Sequence, residues 1–186
     1  MLKKFFLSLF LTGWVMSGAY AQQLFTKGDN VVDVAVGLGS YLGGAGYKQS
    51  IPPISASYEH GIVSGLLNDK GSIGVGGYLA YTANEWSTKY GDLSYGYKYS
   101  YIIFGARGLL HYQLNKLDTY AGLMLGYNMV NVKAIGEVTG GALALGSGFT
   151  YSTFIGARYY FTDKVAAFAE VGYGIAALEL GVAFKL

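Results

Sequence analysis

The sequence predicts an all-β protein: an eight-stranded antiparallel up-and-down transmembrane β-barrel. Three observations carry this prediction. About eight segments alternate apolar with small or polar residues at a period of two, which is the pattern of strands with one apolar face. Short polar turns and longer connections follow one another in turn along the chain. The segments are preceded by an export signal, which places the protein outside the cytosol.

The composition argues against an ordinary soluble enzyme. Of the 186 residues, 52% are hydrophobic and only 13% are charged, whereas a soluble domain carries about 25% charged residues. The abundance of Val, Leu, Ile and Tyr excludes a disordered chain. There is no Cys, so disulfide frameworks, thiolate metal sites and thiol nucleophiles are excluded as well.

Residues 1–21 are predicted to be a cleaved signal peptide, and 22–186 the barrel domain. A basic start at Lys3 and Lys4 precedes an apolar run, and Ala19 and Ala21 supply the small residues of a cleavage site. The whole chain has 13 basic and 11 acidic side chains, so losing the two lysines leaves a neutral chain and no indication of a nucleic-acid partner. The remainder has no run of 18 apolar residues, so we expect no transmembrane helix.

The alternation is clearest at the C-terminal end. Even-numbered positions from Leu178 to Leu186 are apolar, and odd-numbered positions from Ala177 to Lys185 are small or charged. The same pattern predicts seven strands upstream, of roughly the length that crosses a bilayer. The predicted strands span 32–39, 54–62, 73–81, 101–112, 121–129, 151–161, 165–173 and 177–186.

The connections are predicted to alternate in length. Tight polar turns are expected at 68–71, 115–118 and 162–164, and a short link at 174–176. Long loops are expected at 41–50, 84–97 and 133–147. The Gly-rich runs in two of these loops lack the Lys-Ser/Thr of a phosphate-binding loop and are interpreted as flexible tips.

The face opposite the apolar one is expected to line the barrel interior. It is mostly Gly, Ala and Ser, which suits a narrow eight-stranded barrel and would be a poor water-facing surface for a lipocalin-like soluble barrel. The apolar face then contacts lipid, and aromatic side chains form a belt at each interface. The long-loop belt is predicted from Tyr41, Tyr81, Trp86, Tyr99, Tyr127, Tyr151 and Tyr173, and the short-turn belt from Tyr112, Tyr120, Tyr159, Phe161 and Phe184.

Ionisable residues on the interior face predict a charge network in the lumen. Asp33 and Glu179 lie on the first and last strands, which are neighbours if the barrel closes. The alternative is a pathway for protons or ions, but a near balance of charge in a narrow barrel favours a structural plug. The predicted members are Asp33, Glu59, Arg107, His111, Arg158, Glu170, Glu179 and Lys185.

These features together resemble the small eight-stranded outer-membrane barrels of OmpA/OmpX type in Gram-negative bacteria. The resemblance covers essentially the whole mature chain and implies a bacterial outer-membrane location with both termini in the periplasm. It also implies outer-membrane lipids, lipopolysaccharide and the barrel-assembly machinery as partners. Members usually end in an aromatic residue, whereas here Phe184 lies two positions before the terminal Leu186, on the same face.

No catalytic, cofactor or metal site is predicted. Barrels of similar size that modify lipids use Ser and His near the outer leaflet, but His60 and His111 fall near the short-turn ends. His111 is interpreted as a lumen residue and His60 as an interfacial one. The expected function is a structural or surface-interaction role, with a narrow pore or transporter for small, including hydrophobic, molecules as the alternative.

The predicted loop 84–97 is rich in aromatic residues. Such side chains on an exposed loop suit recognition of a sugar, a protein or lipopolysaccharide. Strands that project beyond the bilayer explain them equally well. The candidate recognition residues are Trp86, Tyr90, Tyr95 and Tyr97.

Overall fold

The computed structural model describes residues 23–42, 46–91, 93–136 and 146–186, so the predicted signal peptide lies outside the described residues. Among the described residues, no helix is long and apolar enough to span a membrane. Eight strands account for most of the described residues, with one helical turn, α1 (Leu66–Asp69), between the second and third. The strands are β1 (Asn30–Ser40), β2 (Lys48–Gly65), β3 (Gly71–Tyr90), β4 (Leu93–Leu114), β5 (Leu117–Ile135), β6 (Gly148–Tyr160), β7 (Val165–Tyr173) and β8 (Ala176–Lys185).

The strands form one closed barrel in sequence order. Each strand pairs antiparallel with the next, and β1 pairs with β8 through a register that sets Val34 opposite Val182. Closure pairs the backbone of the first strand with that of the last, so no sheet edge is exposed where all eight strands pair. Beyond that part, β2 before Ile54 has no described partner in β1, and β5 after Asn128 has none in β6. The predicted up-and-down barrel of eight antiparallel strands is confirmed.

The predicted loops are wrong in extent, because several strands continue into them. β2 begins at Lys48, and β5 continues to Ile135. β3 and β4 pair without interruption as far as Tyr90 opposite Leu93, so the segment 84–97 is mostly a hairpin and not a loop. The turn predicted at 115–118 shrinks to two residues, because β5 already begins at Leu117.

The two ends of the barrel differ. We call the end with both described termini and the connections 66–70, 115–116 and 161–164 the turn end, and the opposite end the loop end. At the loop end the rim is uneven, because β7 and β8 are joined through Gly174 and Ile175 while β3 and β4 run on to Tyr90 and Leu93. We call the projecting loop-end parts of β2 to β5, residues 48–53, 82–90, 93–101 and 130–135, the high wall.

Candidate functional site

Polar and charged side chains fill the barrel near its middle and towards the turn end. We call eight of them the interior polar cluster. It combines five carboxylates with two guanidinium groups and one imidazole, and all eight residues are buried. The members are Asp33, Glu59, Arg107, His111, Asp118, Arg158, Glu170 and Glu179.

Arg158 is the centre of this cluster. Its side chain is fully buried, and Nη2 donates to Oδ2 of Asp33 and Oε2 of Glu59, each at 2.7 Å. Nη1 lies 3.6 Å from Oδ2 of Asp118, and the guanidinium carbon lies 4.8 Å from the centre of the Tyr120 ring. One cation therefore joins carboxylates from β1, β2 and β5, which stabilises buried charges that would be costly to desolvate alone.

His111 lies between two of the same carboxylates. Its Nε2 is 2.6 Å from Oε1 of Glu59, and its Nδ1 is 3.0 Å from both carboxylate oxygens of Asp118. The ring of Phe25 covers the imidazole at 4.4 Å between centroids. With both ring nitrogens engaged and no exposed surface, His111 has a structural position in the interior.

Arg107 forms a second ion pair nearer the loop end. Its Nη2 donates to Oε1 of Glu170 at 2.6 Å, and its guanidinium lies 4.1 Å from the centre of the Phe154 ring. Glu179 is directly opposite Glu170 across β7 and β8. It forms no ion pair with a described residue and instead accepts hydrogen bonds from Oη of Tyr78 at 2.6 Å and Oγ of Ser55 at 3.2 Å.

The structure brings together seven of the eight predicted lumen residues. Lys185 lies apart, at the turn end, where Nζ is 2.7 Å from Oδ2 of Asp29 and donates to the carbonyl of Leu24. Sequence reasoning missed Asp118, which was placed in a turn although it has the same parity along β5 as Tyr120 and Met124, both buried. That parity was the signal that could have found it. Asp33 and Glu179 do lie on paired strands, but the register sets Glu179 opposite Gly37.

The segment 23–29 closes the turn end of the lumen. Phe25 is fully buried inside the barrel mouth. Gln113 holds this segment by accepting from the backbone N–H of Leu24 at 2.6 Å and donating to the carbonyl of Phe25. The backbone N–H of Gly61 donates to the carbonyl of Asp29, and the carbonyl of Gly61 accepts from the N–H of Gly28, which leads the chain into β1.

The outer surface is an apolar band. Leu79, Phe104, Leu125 and Leu180 expose between 46% and 55% of their surface although they lie in regular strands. Most predicted belt residues are also exposed on this surface. Tyr99 and Tyr120 are exceptions, being 0% and 4% exposed inside the barrel, because their positions fall on the interior face of β4 and β5. Trp86 is a third exception: it is exposed, but it is directly opposite Tyr97 on the inner face of the high wall.

Comparison with known proteins gives similarity in structure but not in sequence. No protein-family model matches the chain, and no curated protein matches it. The outer-membrane protein OprG from Pseudomonas aeruginosa aligns with a TM-score of 0.58 and 11% identity, over 88% of this chain and 98% of that one. Ail, the attachment invasion locus protein of Yersinia pestis, solved in complex with the heparin analogue sucrose octasulfate, aligns with a TM-score of 0.54 and 11% identity, over 87% of this chain and all of that one.

The chain has the fold of the small eight-stranded outer-membrane barrels. The resemblance drawn from the sequence is therefore confirmed at the level of fold. Within this barrel fold, the exposed apolar band is the surface that meets hydrocarbon, because closed strand pairing leaves no backbone group unsatisfied there.

The aromatic residues predicted to lie on a loop are on strands of the high wall. Trp86 is directly opposite Tyr97, and Thr88 is opposite Tyr95. Trp86 is 40% exposed, while Tyr95 and Tyr97 are half-buried. Tyr97 packs against the hydrophobic cluster at the loop end of the lumen. The side chain of Tyr90 lies outside the described part of the structure.

The remaining histidine lies outside the interior. Nδ1 of His60 is 2.8 Å from Oδ1 of Asn30, on the outward face of β2 next to β1. No described contact joins it to a serine. Neither histidine therefore has the arrangement of a base that activates a nucleophile.

Proposed function

We propose that this protein is a bacterial outer-membrane β-barrel with a closed lumen that acts through its loop end. It is exported by a cleaved signal peptide and inserted by the barrel-assembly machinery. The turn end faces the periplasm and the loop end faces the cell exterior, so the high wall projects beyond the hydrocarbon core of the membrane. The exposed apolar band and the barrel fold support this placement.

The contact between Arg158 and Glu59 carries the proposal of a closed lumen. Arg158 is on β6 and Glu59 on β2, which lie on opposite sides of a ring of eight strands. A direct contact of 2.7 Å between them therefore spans the interior from wall to wall. Phe25 covers this layer from the turn end. We infer that these side chains leave no continuous path for water and solutes.

A pore for small molecules is less well supported. Towards the loop end the interior becomes apolar, with Tyr99, Ile103 and Met124 in one cluster. Beside Arg107, Glu170 and Glu179 there is a cavity of about 20 Å³, which is room for one or two water molecules. A permeating molecule would have to break several buried ion pairs beyond this cavity.

A role in surface recognition fits the high wall. Trp86 and Tyr95 provide accessible aromatic surface beyond the apolar band, and aromatic side chains are frequent energetic centres of binding surfaces. Ail, which shares the fold, was solved with a heparin analogue, so glycans are a reasonable first class of ligand. We propose no enzymatic activity, because both ring nitrogens of His111 already contact carboxylates.

A glycan and matrix-protein array with the purified protein in lipid nanodiscs tests this role. We expect at least one ligand, and at least a 30-fold loss of its affinity when Trp86 and Tyr95 are both replaced by Ala, since centres of binding contribute about 2 kcal/mol or more. The matched control replaces Tyr112 and Tyr159, exposed aromatics at the turn end, and should bind normally. Absence of any ligand, or equal losses in both variants, would contradict the proposal.

A further inference from the structure

A rung of charged residues crosses the high wall. Glu85 on β3 is directly opposite Lys48 on β2 and Lys98 on β4, and Lys98 is directly opposite Lys133 on β5. Four neighbouring strands thus carry three lysines and one glutamate at one level. We call Lys48, Lys98 and Lys133 the lysine row.

The lysine row faces outward, away from the lumen. Lys98 lies between Tyr97 and Tyr99, which pack into the interior cluster, so its own side chain is on the opposite face of β4. Lys133 follows Val132, which packs into the same cluster. Lys48 and Lys133 are exposed, and Lys98 is half-buried. The charges therefore lie on the face that continues the lipid-facing surface.

The row lies just above the apolar band. Ile102 and Met129 form one of the last apolar rungs, with 45% and 50% of their surface exposed. Lys98 and Lys133 are each four residues nearer the loop end than Ile102 and Met129. That spacing is about 13 Å along a strand, or about 10 Å along the barrel axis at the usual strand tilt. Lysine side chains are long enough to reach back towards the interface. The ammonium groups are therefore placed at the depth of lipid headgroups.

The row has an excess of positive charge. Lys98 and Lys133 are like charges directly opposite one another, an arrangement that destabilises a sheet, and Glu85 is the single acidic residue on the row against three lysines. None of the three lysines forms an ion pair with a described residue. On the other flank, residues 36–42, 148–155 and 171–178 contain no charged side chain. Among the described residues of the loop end, the lysines therefore lie on one side of the barrel.

We propose that the lysine row binds the phosphate groups of lipopolysaccharide in the outer leaflet. This inference rests on the proposed outer-membrane location. A phosphorylated lipid is favoured over a soluble polyanion because the lysines face the surrounding lipid at headgroup depth and not the open tip of the wall. Phosphate oxygens would relieve the repulsion between Lys98 and Lys133.

Measuring the affinity of the protein for lipids tests the proposal. The full-length protein is expressed in a Gram-negative host and purified from its membranes in detergent. The probes are lipid A with both phosphates and the same lipid after enzymatic removal of the phosphates. The test variant is K48Q/K98Q/K133Q, and the matched control is K70Q/K116Q/K164Q, three exposed lysines at the turn end. A shift in gel mobility on heating shows that each variant is folded.

We expect the wild type to prefer the phosphorylated lipid by at least tenfold. One lysine near an anionic surface contributes about fivefold in affinity, so the triple variant should lose roughly 100-fold while the control stays within twofold. Equal binding of both lipids, equal losses in both variants, or displacement of lipid A by soluble heparin at lower concentration would overturn the inference. Loss of membrane insertion would instead overturn the proposed function, whereas insertion without a phosphate preference would overturn only this inference.

Discussion

Replacing Arg158 by Met leaves a group of buried carboxylates without their central cation. Arg158 is completely buried and contacts Asp33 and Glu59 at 2.7 Å and Asp118 at 3.6 Å. Removing one partner of a buried ion pair costs about 3–5 kcal/mol, because the other charge stays desolvated and uncompensated. We therefore expect the free energy of unfolding to fall by that amount, a factor of roughly 100 to 4,000 in the folding equilibrium.

Urea titration in lipid vesicles measures this change. A chain that begins at residue 22 contains Trp86 as its single tryptophan, because the other is Trp14, so its fluorescence reports on the high wall. Gel mobility without boiling gives a second measure of the folded fraction. The two probes should give the same midpoint if unfolding is cooperative.

Two controls make the Arg158 result interpretable. Lys164→Met, in the exposed turn before β7, should change the free energy of unfolding by less than about 0.5 kcal/mol. Adding Asp33→Asn and Glu59→Gln to Arg158→Met removes the two closest orphaned charges, and should recover most of the lost stability. A loss below about 1 kcal/mol in the single variant, or no recovery in the triple variant, would refute the reasoning.

Two further stability predictions follow from the interior packing. Gly156→Ala should destabilise the barrel by about 1–3 kcal/mol, because a Cβ there would lie 2.6 Å from the ring of Tyr120, which is itself held by a hydrogen bond to Glu170. Gly108→Ala, where a Cβ would have no atom within 4 Å, should be neutral or slightly stabilising in the same urea titration. Equal costs at both positions would contradict this account. Phe25→Ala should lower the free energy of unfolding by about 3 kcal/mol in the same assay, because it leaves a cavity where the Phe25 ring packs against His111. Phe25→Leu should cost less. An unchanged midpoint for Phe25→Ala would show that segment 23–29 does not seal the barrel mouth.

The barrel itself could be predicted because its signal is periodic. Along the band that faces lipid, each strand carries apolar side chains on one face and small or polar ones on the other, and the C-terminal strand shows this over its whole length. Strand order then follows from sequential hairpins, and closure from the need to pair every backbone group within the membrane. The register between strands could not be predicted from the pattern. Asp33 and Glu179 are on paired strands, as expected, but the register does not set them opposite one another.

The strands of the high wall were not predicted because the apolar side chains change face there, from the outside of the barrel to the inside. In the apolar band the apolar side chains are outside, as with Ile102 and Phe104. In the high wall Tyr97 and Tyr99 are inside and Lys98 is outside, because the outer face no longer meets hydrocarbon. A search for apolar residues on the outer face therefore ends the strand too early and assigns the remainder to a loop.

The interior residues were mostly predictable from parity, with two errors at strand ends. Asp118 is the second residue of β5 and is fully buried, whereas the polar sequence around it predicts that it belongs to the turn 115–118. Lys185 has interior parity, but it lies so close to the turn end that Asp29 and Leu24 bind its ammonium group outside the cluster. Parity gives the face of a strand and does not give the depth along the barrel.

Single-channel recording in planar bilayers tests the central claim of a closed lumen most directly. With Arg158 contacting Glu59 across the interior and Phe25 covering the layer, the wild type should insert without producing steady current steps. Insertion is verified independently by the heat-dependent gel shift of protein recovered from the same vesicles. Steady, reproducible conductance steps from the verified wild-type barrel would contradict the closed lumen and favour the pore.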